Sequence, residues 1–166
     1  MNDAASLTIV RANYGDSRDA ADVVAVLDSY ARDPMGGAEP LSEEVRSRLI
    51  DGLAAAPGAF SLIARLDDKA VGIANCFTGF STFAARPLVN IHDIAVLPGL
   101  RGKGIGRALL SAVDDAAREI GACKVTLEVL SGNERAKGLY ASHGFGDFVL
   151  DPEAGTALLW QKKLDD

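Results

Sequence analysis

The stretch of sequence that decides the fold is IHDIAVLPGLRGKGIGRA, residues 91–108. The apolar run over residues 88–96 predicts a β-strand, which Pro98 and Gly99 end. From about Gly104 apolar side chains recur at the spacing of an amphipathic helix that runs to Ile120. This periodicity is the strongest in the chain and falls on Ile105, Leu109, Ala112, Val113, Ala116 and Ile120. A strand is therefore predicted to lead through a tight turn into a long helix.

The turn between that strand and that helix holds three alternate glycines, Gly102, Gly104 and Gly106. Glycine adopts positive φ readily and lets backbone N–H groups approach a ligand closely. These groups would join the N–H groups and the positive dipole end of the first helical turn, which together suit a diphosphate. The basic side chains around them are Arg101, Lys103 and Arg107. The turn is predicted to bind phosphate, and a purely structural glycine turn is the alternative.

The spacing of these glycines excludes two common nucleotide-binding loops. No Ser or Thr follows Lys103, as a nucleoside triphosphate loop of the form GxxxxGK[ST] requires. The spacing is also not GxGxxG, and the acidic residue that would hold a ribose is missing at the expected offset. A different phosphate-bearing ligand is indicated.

The composition bounds the class of function. The chain has 166 residues, 48% hydrophobic and 24% charged, with a formal net charge of −6. A negative field repels nucleic acid and anionic lipid and favours cationic small molecules. Neither a signal peptide nor a membrane span is evident, and Cys76 and Cys123 lie in apolar runs typical of buried, reduced thiols. We expect a single domain over residues 1–166, a cytoplasmic location, and no metal, nucleic-acid or membrane partner.

The rest of the chain predicts alternating strands and helices. Capping residues mark the helix starts: Asp16 or Ser17 for the first, Ser42 for the second, and Ser131 or Asn133 for the last. Strands are expected at residues 7–11, 59–65, 70–77, 88–96, 124–130, 145–150 and 157–163. The order β-α-α-β-β-β-α-β-α-β-β predicts an α/β (α+β) fold, a mixed sheet with helices on both faces.

Two motifs carry a resemblance to a known family. Residues 101–106 resemble the [QR]-x-x-G-x-[GA] loop with which the GNAT family of N-acetyltransferases binds the pyrophosphate of acetyl-CoA. Further on, the pattern N-x-x-A-x-x-L-Y-x-x-x-G-F of the same family is matched by Asn133, Ala136, Leu139, Tyr140, Gly144 and Phe145. The match covers residues 88–148, and within the family it looks most similar to diamine (spermidine/spermine-type) acetyltransferases.

The resemblance implies a mostly antiparallel sheet of about seven strands with four helices, in which strands four and five are parallel and splayed. The splay would expose backbone groups of Ile94, Ala95 and Val96 to the pantetheine arm and the thioester carbonyl. Acetyl-CoA is the implied cosubstrate. Its other binding residues would be Arg101, Gly102, Lys103, Gly104, Ile105, Gly106, Arg107, Asn133, Ala136 and Tyr140. Relatives often dimerise through their C-terminal strands, so a homodimer through the apolar residues 145–164 is a further expectation.

The resemblance also implies a catalytic acid. Tyr140 would protonate the departing thiolate, since a phenol of pKa about 10 can donate to a thiolate whose conjugate acid has a pKa near 8.5. From spacing alone, a core aromatic with a hydrogen-bonded hydroxyl is the alternative. Asn133 would cap a helix and also bind the cofactor.

The group that removes the proton from the attacking amine stays open at this point. His92 occupies the strand position where relatives carry Glu or His, and imidazole suits proton transfer near neutral pH. By strand alternation Asn90 and His92 share a face, and Asp93 points to the other face unless a bulge intervenes. Asp93 and Glu128 are the carboxylate candidates, while Asp28, His92 and Glu128 are candidates for binding the amine. His92 replaces the Glu of diamine acetyltransferases, which argues against polyamine specificity.

Three functions are consistent with the sequence. The first is acetyl transfer from acetyl-CoA to the amine of a small molecule, such as a polyamine, by direct attack in a ternary complex. The second is acetylation of a protein N-terminus or lysine by the same fold. The third is a non-catalytic acyl-CoA sensor that keeps the binding loop, against which the presence of Tyr140 argues.

Overall fold

The computed structural model describes residues 6–164, which group into two compact units that divide after Leu127. The expectation of a single domain over residues 1–166 stays a prediction.

The first unit is built on a five-stranded sheet in the order β1-β2-β3-β4-β5. The strands are β1 (Leu7–Arg11), β2 (Ala59–Leu66), β3 (Lys69–Ser81), β4 (Arg86–Val96) and β5 (Val125–Leu127). The first four pair antiparallel, and β4 and β5 pair parallel. The mixed sheet and the parallel β4–β5 pair confirm the predicted fold class.

Three helices cover this sheet: α1 (Ser17–Ala31), α2 (Glu43–Ala55) and α3 (Ile105–Glu119). The side chains of α1 and α2 form one core with Ile63 and Ile73 of the sheet. Gly72, next to Ile73 and therefore on the opposite face, faces Ile105 and Leu109 of α3. The helices thus lie on both faces of the sheet, as the element order predicts.

Local signals in the sequence explain the element boundaries. The Asp16 side chain caps α1 by accepting from two backbone N–H groups, and the Ser42 side chain caps α2 by accepting from one, that of Val45. The β2–β3 hairpin turns through Asp67 and Asp68, both at positive φ, which matches the twist of the strands it joins.

The second unit contains one α-helix, α4 (Glu134–Ser142), and a 3-10 turn at Pro152–Ala154. The prediction of about seven strands is wrong: the described residues form five, and residues 145–150 and 157–163 contain none. Apart from Phe145, their large apolar residues are exposed, with Leu150 at 85% and Trp160 at 84%. Strand propensity reflects packing on a pleated surface, so an apolar segment without that packing need not become a strand.

Two strand lengths also differ from the prediction. The fifth strand covers three residues rather than residues 124–130, so Glu128 lies beyond it. The β3–β4 ladder instead extends further than predicted, to the pair Ser81 and Arg86, because Pro87 does not interrupt it. Its carbonyl accepts a hydrogen bond from the Cys123 N–H, on the side away from β3.

Candidate active site

The glycine turn forms a nest of backbone N–H groups at the start of α3. Gly102 and Gly104 both have φ of +83°, a conformation that favours glycine. Gly104 is the N-cap of α3, and among the described residues no side chain caps this helix. The N–H groups of its first turn, which have no intrahelical acceptor, are therefore available to an anion. Gly106 differs from the expectation of positive φ, because it already lies inside the helix.

Arg101, the first basic residue at this turn, makes a hydrogen bond and an ion pair within the protein. Its Nε donates to the Val96 carbonyl at 3.0 Å, and its guanidinium lies 2.8 Å from the carboxylate of Asp33, just after α1. Lys103 and Arg107 are exposed at the turn. The charge of Arg101 is thus largely neutralised, and a bound phosphate would depend on N–H groups and on the two exposed residues.

Beyond its short pairing with β5, the edge of β4 is open. The parallel ladder joins only residues 89–91 to residues 125–127, while β4 continues to Val96. Leu97 donates its N–H to Val71, so by the alternation of an antiparallel ladder Ala95 also bonds toward β3. The backbone groups of Ile94 and Val96 point the other way, toward the open edge. Two of the three predicted backbone positions therefore lie on the open edge, and Ala95 does not.

A β-bulge interrupts β4 at the two candidate bases. Asn75 of β3 pairs with Asp93, but the next residue, Cys76, pairs with Ile91, so His92 is the extra residue. The ring of His92 stands edge-on to Phe77, 5.7 Å between centroids, on the same face as Asn75 and Asp93. The bulge thus brings His92 and Asp93 to one face of the sheet. Simple strand alternation would place them on opposite faces.

The side chain of Asp93 is held by the sheet. The Nδ2 of Asn75 donates to its Oδ2 at 3.1 Å, and Asn75 is itself buried. On the same side, burial and then the charges of Asp93 and Asp33 raise the pKa of Tyr30. Arg101, which pairs with Asp33, acts in the opposite direction on the pKa of Tyr30, so the negative charge next to His92 comes from Asp93, and it favours a cationic ligand.

An open groove lies along α2 beside this face. Its volume is about 580 Å³, and Phe77, the ring partner of His92, belongs to its wall. The charged residues of the wall are Glu44, Arg48 and Asp51. Glu44 and Arg48 pair with each other at 2.9 Å, so Asp51 gives the groove a net negative charge.

Asp28, a predicted binder of the amine, has partners within the protein. Its carboxylate accepts from Arg32 Nε and from the Leu41 N–H, both at 2.9 Å, and Arg46 lies 3.9 Å away. The hydrogen bond from Arg32, followed by that from Leu41, lowers the pKa of Asp28. The carboxylate thus fixes the segment between α1 and α2, and its role in substrate binding stays untested.

The second unit carries the other predicted site residues. Asn133 caps α4 by accepting from the Ala136 N–H at 3.1 Å, which settles the choice between Ser131 and Asn133. Tyr140 is 9% exposed, and its ring meets that of Phe145, 6.0 Å between centroids. Glu128 is exposed and outside any strand, so its predicted place on the fifth strand is wrong.

Three polar residues that connect to Asp93 through hydrogen bonds were not predicted from the sequence: Asn75, Ser61 and Tyr14. They form hydrogen bonds with one another in the sheet interior. The sequence feature that could have indicated them is a single Ser and a single Asn, each in the middle of an apolar strand. Only the register of the two strands shows that these residues are neighbours.

Neither Cys76 nor Cys123 forms a disulfide in the part of the chain that the structure describes. Both are free, and burial, with a smaller effect of Asp93, raises the pKa of Cys76 to about 12. Over residues 6–164 no three His, Cys, Asp or Glu side chains form a group that could hold a metal ion. In the same range no helix is both long and apolar enough to cross a bilayer.

The comparison with protein families decides the assignment. The sequence model of a family described as "Acetyltransferase (GNAT) family" matches residues 23–145. The chain belongs to the GNAT family. The matched range begins within α1 and ends after α4, so it includes both the glycine turn and Tyr140.

Individual GNAT relatives match over shorter stretches. Streptothricin acetyltransferase of Streptomyces lavendulae is 44% identical over 75 residues, 45% of this chain and 40% of its own. Thialysine N-epsilon-acetyltransferase of Bos taurus is 34% identical over 79 residues, 48% and 46% of the two chains. The chain spans about half the length of the curated relatives it matches.

Solved structures share the GNAT fold over nearly the whole chain. The aminoglycoside N-acetyltransferase AAC(6')-Iy in complex with CoA superimposes with a TM-score of 0.74, covering 99% of both chains at 17% identity. At this identity the likeness shows the fold.

Proposed function

We propose that this GNAT protein transfers an acetyl group from acetyl-CoA to the amine nitrogen of a small molecule by direct attack in a ternary complex. The observation that carries the proposal is the helix α3, whose N-terminus is preceded by Gly102 and Gly104 at positive φ and has no side-chain cap among the described residues. That arrangement supplies the donors that a diphosphate needs.

The donor set fits acetyl-CoA. N–H groups of the turn and of the first turn of α3 would bind the pyrophosphate, and Lys103 and Arg107 would add charge at the rim. At the open edge of β4, the backbone groups of Ile94 and the N–H of Val96 would bond the pantetheine amides, while the Val96 carbonyl already accepts from Arg101. Asn133 and Ala136 are further candidates for contacts with acetyl-CoA, as the family motif implies.

In the proposed reaction the neutral amine attacks the thioester carbonyl carbon. The C–N bond forms, the C–S bond breaks, and the thiolate of CoA takes a proton from the hydroxyl of Tyr140. Before the attack the ammonium of the substrate gives one proton to His92, whose imidazole is exposed at the bulge. After the attack the nitrogen loses a second proton, which restores the hydroxyl of Tyr140 through solvent. Asp93 on the same face would attract the ammonium form of the substrate, and Glu128 stays a second carboxylate candidate.

The acceptor is proposed to be a small cationic amine. The negative face beside His92 and the open groove along α2, with its apolar wall and the carboxylate of Asp51, support this class. The names of two relatives, streptothricin acetyltransferase and an aminoglycoside N-acetyltransferase, point the same way. The homodimer and the cytoplasmic location stay predictions.

The test is the release of free CoA thiol from acetyl-CoA in the presence of polyamines, amino sugars and amino acid derivatives, with lysine-bearing peptides as a separate arm. Release with a small amine supports the proposal. Release with peptides alone favours a protein acetyltransferase, and CoA binding without release favours an acyl-CoA sensor.

The role of Tyr140 is tested by Tyr140→Phe. Because the change removes only the proton donor, turnover should fall about 100-fold or more, while the affinity for acetyl-CoA in calorimetry stays near that of the wild type. Unchanged turnover would remove Tyr140 from the mechanism and leave it as a core aromatic.

A further inference from the structure

A hydrogen-bonded chain crosses the sheet interior beneath Asp93. Ser61 of β2 and Asn75 of β3 are opposite each other in the ladder and are 0% and 2% exposed. The Oγ of Ser61 lies 2.6 Å from Oδ1 of Asn75 and 2.8 Å from the hydroxyl of Tyr14. With the bond from Asn75 to Asp93, the chain joins four side chains across three strands.

The chemistry of these groups fixes the direction of every bond. A carboxylate oxygen accepts, so the Nδ2 of Asn75 must face Asp93 and its Oδ1 must face Ser61. That Oδ1 carries no proton, so the single hydroxyl proton of Ser61 is donated to it. Tyr14 must then donate to Ser61. All three donors therefore point toward the carboxylate of Asp93.

The chain ends at the bulge of β4, beside His92. Asn75 uses Oδ2 of Asp93, and within residues 6–164 the structure gives Oδ1 of Asp93 no hydrogen-bond partner. At the other end, burial raises the pKa of Tyr14, which keeps this hydroxyl protonated and donating. One oxygen of Asp93 is thus fixed from behind, and the other lies on the face that carries His92.

Stability alone does not account for such a chain. A Ser–Asn pair inside a sheet needs every polar atom satisfied, and an apolar pair of similar volume would serve the core as well or better. Both residues lie among apolar neighbours such as Ile63, Ile73 and Cys76. A requirement that the Asp93 carboxylate keep one orientation would explain the presence of Ser61 and Asn75.

We propose that Asn75, Ser61 and Tyr14 are positioning residues, which hold the Asp93 carboxylate so that its outward oxygen receives the ammonium of the acceptor next to His92. This inference rests on the proposed function. It assigns Asp93 to binding and orienting the acceptor, and leaves the removal of the proton to His92.

The test compares three variants in steady-state kinetics with an amine that the wild type acetylates. Asn75→Leu, close in shape, should lower kcat/KM for the amine about 10- to 100-fold and leave the KM for acetyl-CoA unchanged. Tyr14→Phe removes only the hydroxyl at the end of the chain remote from Asp93. It should lower kcat/KM for the amine about threefold, since its effect passes through two further hydrogen bonds. The control Ser81→Ala removes a hydroxyl at the far end of β3, where it accepts from the Ala84 N–H, and should keep the wild-type value.

A double-mutant cycle separates positioning from folding. If Asn75 acts through Asp93, Asn75→Leu should have no further effect on kcat/KM in an Asp93→Asn background, whereas independent structural damage would add. If Asn75→Leu does not fold, the same cycle with Tyr14→Phe decides. Additive effects, or wild-type kinetics in Asn75→Leu, would overturn the positioning role while the enzyme stays an acetyltransferase. A wild type that binds CoA but acetylates no amine would overturn the proposed function, and this inference with it.

Discussion

The replacement of Gly104 by alanine tests the glycine turn most directly. Gly104 has φ of +83°, and a Cβ added there would meet no atom within 4 Å. The cost is therefore conformational rather than steric, about 1–2 kcal/mol for an L-residue in the left-handed region. In a domain of this size that lowers the melting temperature by roughly 2–8 °C.

The effect on CoA should be larger than the effect on stability. If the strain turns the N-cap of α3, at least one N–H group no longer meets the diphosphate. A hydrogen bond to a charged group contributes about 1.5–3 kcal/mol, so the Kd for CoA should rise roughly 10- to 150-fold. Calorimetric titration of CoA into the folded variant measures it.

Gly99 offers a matched control on the same turn. Its φ is +81°, and an added Cβ there also meets no atom within 4 Å, but it precedes the predicted phosphate-binding residues. Gly99→Ala should lose similar stability and keep the wild-type Kd. Equal CoA affinity in the two variants, at equal loss of stability, would refute the role of Gly104 in binding the diphosphate.

Three further predictions concern the scaffold. In Gly72→Ala the new Cβ would lie 2.9 Å from the Ala95 carbonyl oxygen and 3.2 Å from Leu109, so thermal denaturation should show a loss of stability of about 1–3 kcal/mol. The control Gly52→Ala adds a Cβ in open space in α2 and should raise stability by about 0.5–1 kcal/mol. The bond from the Asn13 N–H, followed by that from Arg65, holds the pKa of Asp19 below 3.8. The stabilisation from the Asp19 carboxylate should therefore be present above its unfolded-state pKa and be lost as the pH falls through the lower folded-state pKa. The difference in urea denaturation between Asp19→Asn and the wild type should be largest at neutral pH and shrink progressively in acid. Because the pKa of Cys76 is raised to about 12, a disulfide reagent at pH 8 should titrate only Cys123 in the native protein and both thiols in denaturant.

Each of these predictions has an outcome that contradicts it. Wild-type stability in Gly72→Ala would mean that α3 can move away from the sheet at no cost. If the difference in unfolding free energy between Asp19→Asn and the wild type does not change with pH, the effect of the substitution comes from packing and not from the charge of Asp19. Rapid reaction of both thiols in native protein would show that Cys76 is accessible.

Helix α3 and the glycine turn could be predicted from the sequence because their signals are local. Apolar periodicity and glycine spacing do not depend on which strand lies next to which. The capping role of Asn133 is local in the same sense.

The environment of the two candidate bases could not be predicted, because it depends on register. Alternation along β4 leaves Asp93 on the wrong face, and only the pairing with β3 shows that His92 is an extra residue. The hydrogen-bonded chain of Asn75, Ser61 and Tyr14 could not be predicted for the same reason, because its members are far apart in sequence and become neighbours only in the folded sheet.

Sequence shows a residue's type and not its partners, which matters at Arg101 and in the C-terminal segments. Arg101 counts as a cation at the turn in the sequence, but Asp33 and the Val96 carbonyl engage it in the structure. The C-terminal apolar segments read as strands by pattern, yet residues 145–150 and 157–163 contain none.

The link from Arg101 to Asp33 also limits how the protein can be re-engineered. A loop graft that replaces residues 32–41 to alter acceptor preference would remove the carboxylate of Asp33 and release the guanidinium beside the end of β4. Such a chimera would be expected to change its response to coenzyme A as well as to amines, unless the graft retains an acidic residue at position 33.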